Sequence, residues 1–175
     1  MNIIEIAREH AIKAHEAVNH LYDGEPYSVH LEMAAMNGLI FNYLLPPDFN
    51  IIENVIAGIY EHDTIEDCGL TYNDVKTATN EMVAELAYAC TNEKGRNRKE
   101  RANDKYYEGI RNTKYATFVK LCDRIANVQA SVQKNSRMID LYRKEQKHFK
   151  EMLYVSGEYE PMWEFLETLL TKQII

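Results

Sequence analysis

Residues 51–67 constrain this chain more than any other stretch. Ile51, Ile52, Val55, Ile56 and Ile59 recur at helical spacing and mark one buried face. That stripe runs straight into Tyr60-Glu61-His62-Asp63-Thr64-Ile65-Glu66-Asp67, where five of eight side chains are acidic or imidazole. His62 lies three residues past Ile59 and Asp63 lies four past it, so both emerge from the end of the buried stripe rather than from a solvated face. An imidazole and a carboxylate buried side by side destabilise a fold unless something pairs with them, and a metal ion does so. Glu66 and Asp67 follow at i+4, so a second acidic pair flanks the first. The pattern predicts one helix from Asn50 to about Glu66.

The rest of the chain predicts an all-α, single-domain helical bundle over residues 1–175. Seven Gly and four Pro are too few for a strand-and-turn architecture, and no linker, repeat or low-complexity stretch divides the 175 residues. Residues 3–21 read as a helix with Ile4, Ala7, Ala11, Ala14, Val18 and Leu21 inward; its His10, His15 and His20 are spaced five apart, about 140° per step on a helix, and are expected as surface or rim histidines unable to share a metal. Asp23-Gly24-Glu25-Pro26 is a turn. A helix from Ser28, a candidate N-cap, to Tyr43 carries His30, Met33, Ala34, Asn37 and Phe41 on one stripe, and Pro46-Pro47 ends it. Thr71-Tyr72-Asn73-Asp74 resembles a capping box for a short helix. Further helices are expected over 80–91, from about Arg98, over 116–132, and over 138–155 and 161–170, the last two completing the bundle.

Helix 116–132 is the second informative one. Asp123 stands on a nearly apolar face beside Val119 and Ala126, with Asn127 one turn on, and a buried acid needs a partner. A salt bridge to Lys120 or Arg124 is one candidate; those neighbours are expected to point elsewhere, which leaves a metal as the favoured partner. His30 alone reads as a core histidine. Together, however, His30, His62, Asp63 and Asp123 bring two imidazoles and two carboxylates from three remote segments, a mixed N/O set suited to Mn²⁺, Fe²⁺ or Zn²⁺. Glu66 and Asp67 are then placed to orient water or move protons.

Charge narrows the partners. The formal net charge of −7 argues against a nucleic-acid polymer. Residues 94–114 nevertheless hold eight basic against three acidic side chains, a local excess that fits a small anionic ligand. The N-terminus lacks the basic-then-apolar order of a signal peptide, and the longest uncharged run, residues 33–47, is too short to span a bilayer; a cytoplasmic protein without a membrane partner is expected. Cys68, Cys90 and Cys122 have no zinc-like spacing and read as reduced, mostly buried thiols.

The order of a remote His, an adjacent His-Asp pair and a later Asp resembles the signature of the HD phosphohydrolase superfamily. Gly24-Glu25-Pro26-Tyr27-Ser28-Val29-His30, His62-Asp63-Thr64-Ile65-Glu66-Asp67 and Val119-Lys120-Leu121-Cys122-Asp123-Arg124-Ile125-Ala126-Asn127 are similar to the hydrolase domains of RelA/SpoT-type proteins, and most of all to the stand-alone small alarmone hydrolases. The resemblance runs from about Ala14 to Asn127 and is loose in the C-terminal helices. It implies an all-α HD bundle that removes the 3′-pyrophosphate of (p)ppGpp, usually with Mn²⁺. It further implies His30, His62, Asp63 and Asp123 as metal ligands, Glu66 and Asp67 as the catalytic acidic pair, Asn127 as a nucleoside contact, and Lys94 and Arg101 as phosphate-side residues. Two positions depart from the family. Leu21 and Tyr22 stand where it usually has a basic residue bordering the base, although Tyr22 could stack on a purine, and Leu31 stands where it usually has Pro. The departure at 21–22 keeps in view an HD enzyme acting on another phosphorylated nucleotide; a catalytically silent nucleotide-binding HD module is a second alternative, against which the intact His30, His62, Asp63, Glu66, Asp67 and Asp123 argue.

Overall fold

In the computed structural model, which describes residues 2–171, helix α1 (Ile3–Ala17) opens on a reciprocal capping box between Asn2 and Glu5. It stops four residues short of the expected end. Asn19 takes a left-handed backbone conformation, φ 52°, and turns the chain back, so Val18 and Leu21 are exposed instead of continuing the inner stripe. The turn that follows is a minimal hairpin: β1 (Leu21–Tyr22) pairs antiparallel with β2 (Glu25–Pro26). Asp23 and Gly24 have φ of 52° and 86°, the paired positive angles of a type I′ connection, which Asp-Gly favours. The hairpin delivers Tyr22 and Tyr27 on either side of the loop.

Helix α2 (Ser28–Ile40) begins without a side-chain cap; Tyr27, not Ser28, holds the cap position. It ends before Tyr43, and a 3₁₀ turn at Asn42–Leu44 carries the chain to Leu45, whose extended backbone suits the residue before a proline. Helix α3 (Phe49–Glu61), capped by Asp48, is buried on all sides from Asn54 to Glu61 rather than along one stripe. It does not continue to Glu66. His62 Nδ1 donates to the Ile59 carbonyl at 2.7 Å and the Thr64 hydroxyl to the Glu61 carbonyl at 2.8 Å. These side chains claim carbonyls that a continuing helix would use, so the ladder breaks at His62-Asp63 and resumes as the single turn α4 (Thr64–Asp67).

Helix α5 (Tyr72–Ala78) carries the expected capping box between Thr71 and Asp74. Then come α6 (Glu81–Cys90), the short α7 (Arg98–Arg101), α8 (Asp104–Asn112) and the long α9 (Ala116–Gln133), with α10 (Met138–Leu153) and α11 (Glu160–Thr171) closing the bundle. The fold is an all-α single-domain bundle with one small hairpin and one continuous apolar core. Helices α3 and α9 form its centre: α3 packs against α1, α2, α6 and α9, while α9 also meets α8, α10 and α11. Cys90 and Cys122 are buried, Cys68 is half-buried, and all three are free thiols. No helix among the described residues is long and apolar enough to cross a membrane.

Close approach of α3 to α6 depends on Gly58. A Cβ there would stand 2.7 Å from Leu86 Cδ1 and 2.9 Å from Leu86 Cβ. Gly58→Ala is therefore expected to destabilise the protein by about 1–3 kcal/mol through overpacking, measured as a lowered thermal midpoint; a wild-type midpoint would mean that the helices separate freely.

Candidate metal centre

Three elements converge at one end of the core. His30 comes from the first turn of α2, His62 and Asp63 from the break after α3, and Asp123 from the middle of α9. One ligand atom from each lies within 4.8 Å of all the others. His62 Nε2 is 2.8 Å from Asp63 Oδ2 and 3.6 Å from Asp123 Oδ1; His30 Nε2 is 3.3 Å from Asp123 Oδ1 and 3.8 Å from Asp63 Oδ2, and the two Nε2 atoms are 3.3 Å apart. Ligand atoms about 2.1 Å from a shared ion stand about 3.0–4.2 Å from one another, so the cluster has the dimensions of a coordination sphere. The chemistry fits as well. Because a carbonyl can only accept, the bond to Ile59 places the His62 hydrogen on Nδ1 and leaves the Nε2 lone pair facing two carboxylate oxygens. Such a set could hold a metal ion.

Without a metal, the cluster pairs its charges internally. Burial alone would depress His62, but Asp63 and Asp123 outweigh it and raise the imidazole to about 10, so a proton takes the place of a metal. Burial would raise both carboxyls; His62 overcomes it at Asp63, and Lys120 with the two histidines overcomes it at Asp123, holding both well below the usual range. The Lys120 ammonium lies 2.7 Å from Asp123 Oδ2. This corrects the expectation that Lys120 points elsewhere: at i and i+3 the two side chains share a helix face. Arg124 does point away, to the Tyr142 carbonyl and Glu145 and over the Tyr142 and Phe149 rings. Asp123 thus has an ion-pair partner on one oxygen and faces the histidines with the other.

A second layer surrounds the four residues. The Tyr27 hydroxyl donates to Asp63 Oδ2, and burial together with Asp63 keeps that phenol protonated. The Tyr27 ring packs against both His15 and His20, with centroids 4.1 and 4.0 Å away, and the two histidines touch each other, their Nδ1 atoms 2.9 Å apart. His15 is therefore no rim residue. It is buried, and desolvation lowers it to about 4. The five-residue angular step presumed an unbroken helix, whereas the reversal at Asn19 folds His20 back onto His15. His10 is also engaged, with Nδ1 2.8 Å from the fully buried Glu61. The three histidines still share no ligand cluster among the described residues.

The centre opens into a cavity of about 690 Å³. Asp63, Asp123, Glu66, Asp67 and Asn127 line one part of it, and Arg98, Lys99, Arg101, Lys120, Arg124 and Lys144 line another. Glu66 is fixed by Asn92, whose backbone N–H and side-chain amide donate to its two oxygens at 3.1 and 2.9 Å. Asp67 is raised to about 7 by burial and by the charges of Asp63 and Glu66. Glu145 neutralises part of Arg98 and Arg124, at 2.7 and 3.0 Å, while no ion pair involves Lys99, Arg101 or Lys144 among the described residues. Of the two phosphate-side residues expected from sequence, Arg101 lines the cavity; Lys94 is exposed and is not part of its wall. Tyr22 is not part of the wall either: its hydroxyl donates to Asn127 Oδ1 at 3.0 Å, and Asn127 in turn donates through Nδ2 to Asp123. Lys99, Lys144, His148 and Asn92 were missed. The local basic excess was the signal for Lys99, and nothing in the sequence pattern singled out the α10 residues. A groove of about 710 Å³ between α10 and α11 lies apart from all of these groups.

No family model matches the chain, and a search of curated proteins finds no match to it.

Proposed function

We propose that the protein is a divalent-metal-dependent phosphohydrolase of a small phosphorylated nucleotide, and specifically that it removes the 3′-pyrophosphate of (p)ppGpp, using Mn²⁺, to leave GDP or GTP. One observation carries this: the two carboxylates of a cluster with metal-ligand geometry, Asp63 and Asp123, line the same cavity as Lys99, Arg101 and Lys144, cations without ion-pair partners among the described residues, and its volume of about 690 Å³ accommodates a nucleotide. The similarity of residues 14–127 to RelA/SpoT-type hydrolase domains supports the choice of substrate.

His30, His62, Asp63 and Asp123 would hold the ion. When bound, it supplies Lewis acidity that neutralises charge on a phosphoryl oxygen and acidifies water. The remaining work falls to the chain. Arg101, Lys99 and Lys144 present cations that bind and orient the phosphate groups. Lys120 Nζ stands where the metal cluster meets the cavity and places a buried positive charge beside the reacting phosphoryl group. Glu66, held by Asn92, is a fixed acceptor for water. Asp67 lies in the same wall beside Glu66, and its burial favours the protonated carboxyl, the form that delivers a proton to a leaving oxygen.

The test is product analysis by anion-exchange chromatography, with Mn²⁺-loaded protein and a panel of ppGpp, pppGpp, GTP, deoxynucleoside triphosphates and 3′-phosphorylated adenosine analogues. GDP and pyrophosphate from ppGpp are expected. Turnover of another panel member alone would keep the phosphohydrolase and overturn its substrate, and a metal-loaded protein with no turnover would leave a nucleotide-binding module.

A further inference from the structure

We infer that Tyr22, in β1, and Tyr27, the residue after β2, are positioning residues that set the geometry of the metal centre, Tyr27 by holding Asp63 and Tyr22 by holding Asn127 against Asp123. The inference rests on reading His30, His62, Asp63 and Asp123 as a metal site.

Each carboxylate of the cluster has a tyrosine behind it. Tyr27 donates to Asp63 Oδ2, the same oxygen that lies 2.8 Å from His62 Nε2. Tyr22 acts one residue further back. The Asp123 carbonyl and carboxylate only accept, so they turn Asn127 Nδ2 towards them, and the Tyr22 hydroxyl donates to the Oδ1 left at the other end, at 3.0 Å, bracing the amide in that orientation. With Tyr22 in place, Asn127 Nδ2 donates to Asp123 Oδ1, the oxygen turned towards both histidines. A flipped amide would oppose two acceptors.

The third ligand depends on the same pair. His62 is oriented by a hydrogen bond from Nδ1, as metal-bound histidines usually are. His30 is not: its Nδ1 is buried without a partner. What flanks the ring instead is Tyr22, with centroids 4.9 Å apart, and Tyr27, at 5.2 Å. The rings of the hairpin hold His30 by packing while their hydroxyls hold the two acids by hydrogen bonds. The tyrosines themselves are braced. Tyr27 packs against the contacting pair His15 and His20, Tyr22 meets its edge at 6.0 Å, and Lys134 lies 5.6 Å over the Tyr22 ring. Three of the four ligands are thus tied to the β1–β2 hairpin and the residue that follows it, with the Asp23-Gly24 turn fixing the hairpin register. For Tyr22 this is a role different from stacking on a base, and for Asn127 a role different from contact with a nucleoside.

The test is a Mn²⁺ titration of the metal-free protein followed by electron paramagnetic resonance, with wild type, Tyr27→Phe and Tyr22→Phe, alongside the thermal midpoint of each metal-free protein. The substitutions keep the rings and remove only the hydroxyls. Y27F is expected to weaken Mn²⁺ binding about 10- to 100-fold, the range for losing a group that orients a ligand, and Y22F by a smaller factor, with little change in the metal-free midpoints. Wild-type affinity in Y27F would overturn the inference for Asp63, even if its midpoint fell. A Y22F protein with wild-type Mn²⁺ affinity and a raised KM would overturn it for Asp123 and return Tyr22 to the base. Failure of the wild type to bind Mn²⁺, Fe²⁺ or Zn²⁺ would remove the metal site itself, and is read independently of the variants.

Discussion

Asp123→Ala is expected to lose both Mn²⁺ and hydrolysis, and to melt well below the wild type even when both are compared metal-free. The first effect follows from removing an oxygen that faces both histidines at 3.3 and 3.6 Å. The second comes from Lys120. Its ammonium is held 2.7 Å from Asp123 and only 16% exposed, so without the carboxylate it is a buried charge with no counter-ion. Breaking one side of such a pair costs about 3–5 kcal/mol; because Lys120 borders a cavity that water can enter, the lower end applies. At about 2–4 °C per kcal/mol for a chain of this size, the midpoint should fall by about 6–12 °C. Lys120→Met in the Asp123→Ala background removes the stranded charge, and the double variant should recover most of the midpoint while still binding no metal. Scanning fluorimetry and metal content after chelator-free purification measure the two effects separately. A metal-free Asp123→Ala protein as stable as wild type would show that Lys120 is solvated and contributes no strain.

The metal set was legible because burial of charge is a strong signal. An apolar helical stripe that delivers His62 and Asp63 into a core, and an isolated Asp123 on an inner face, are costly unless satisfied, and all three residues lie in the cluster. Helix ends were less legible. Val18 and Leu21 keep the period of α1, yet periodicity carries no information about the left-handed turn at Asn19 that exposes them. For the same reason an angle counted along an unbroken helix put His15 on the rim, although the chain reverses and stacks His20 and Tyr27 upon it. The break at His62 depends on side chains capturing the Ile59 and Glu61 carbonyls, which hydrophobic spacing does not register. Lys120 was in view but was turned the wrong way, since i and i+3 are neighbours on a helix. Nothing in the sequence pattern marks Lys144 or His148; the packing of α10 against α8 and α9 carries them to the cavity.

Asp67→Asn is expected to keep the metal and lose most turnover. The four-residue cluster does not include Asp67, so Mn²⁺ content should match the wild type. Its carboxyl is nearly isosteric with the amide, and its nearest ionic neighbour, His20 Nδ1, is 3.9 Å away, so little else is disturbed. Removing the proton that Asp67 exchanges should lower kcat about 10²- to 10⁴-fold, the usual contribution of general acid–base catalysis. Glu66→Gln is also expected to keep the metal and lose most turnover, but it is the less clean probe. Asn92 donates to both of its oxygens, and a glutamine must turn its own NH₂ against one of those donors. The same Asp67 leaves a mark on stability. Burial, Asp63 and Glu66 raise it from 3.8 to about 7, so between those values the folded metal-free protein binds this proton and the unfolded chain does not. Its contribution to stability is therefore full below about pH 4 and is lost as the pH rises through 7. The metal-free midpoint of wild type, relative to Asp67→Asn, should fall from pH 5 to pH 8. Equal slopes in the two proteins would mean that Asp67 ionises normally, and an unchanged kcat in Asp67→Asn would take the proton transfer away from it.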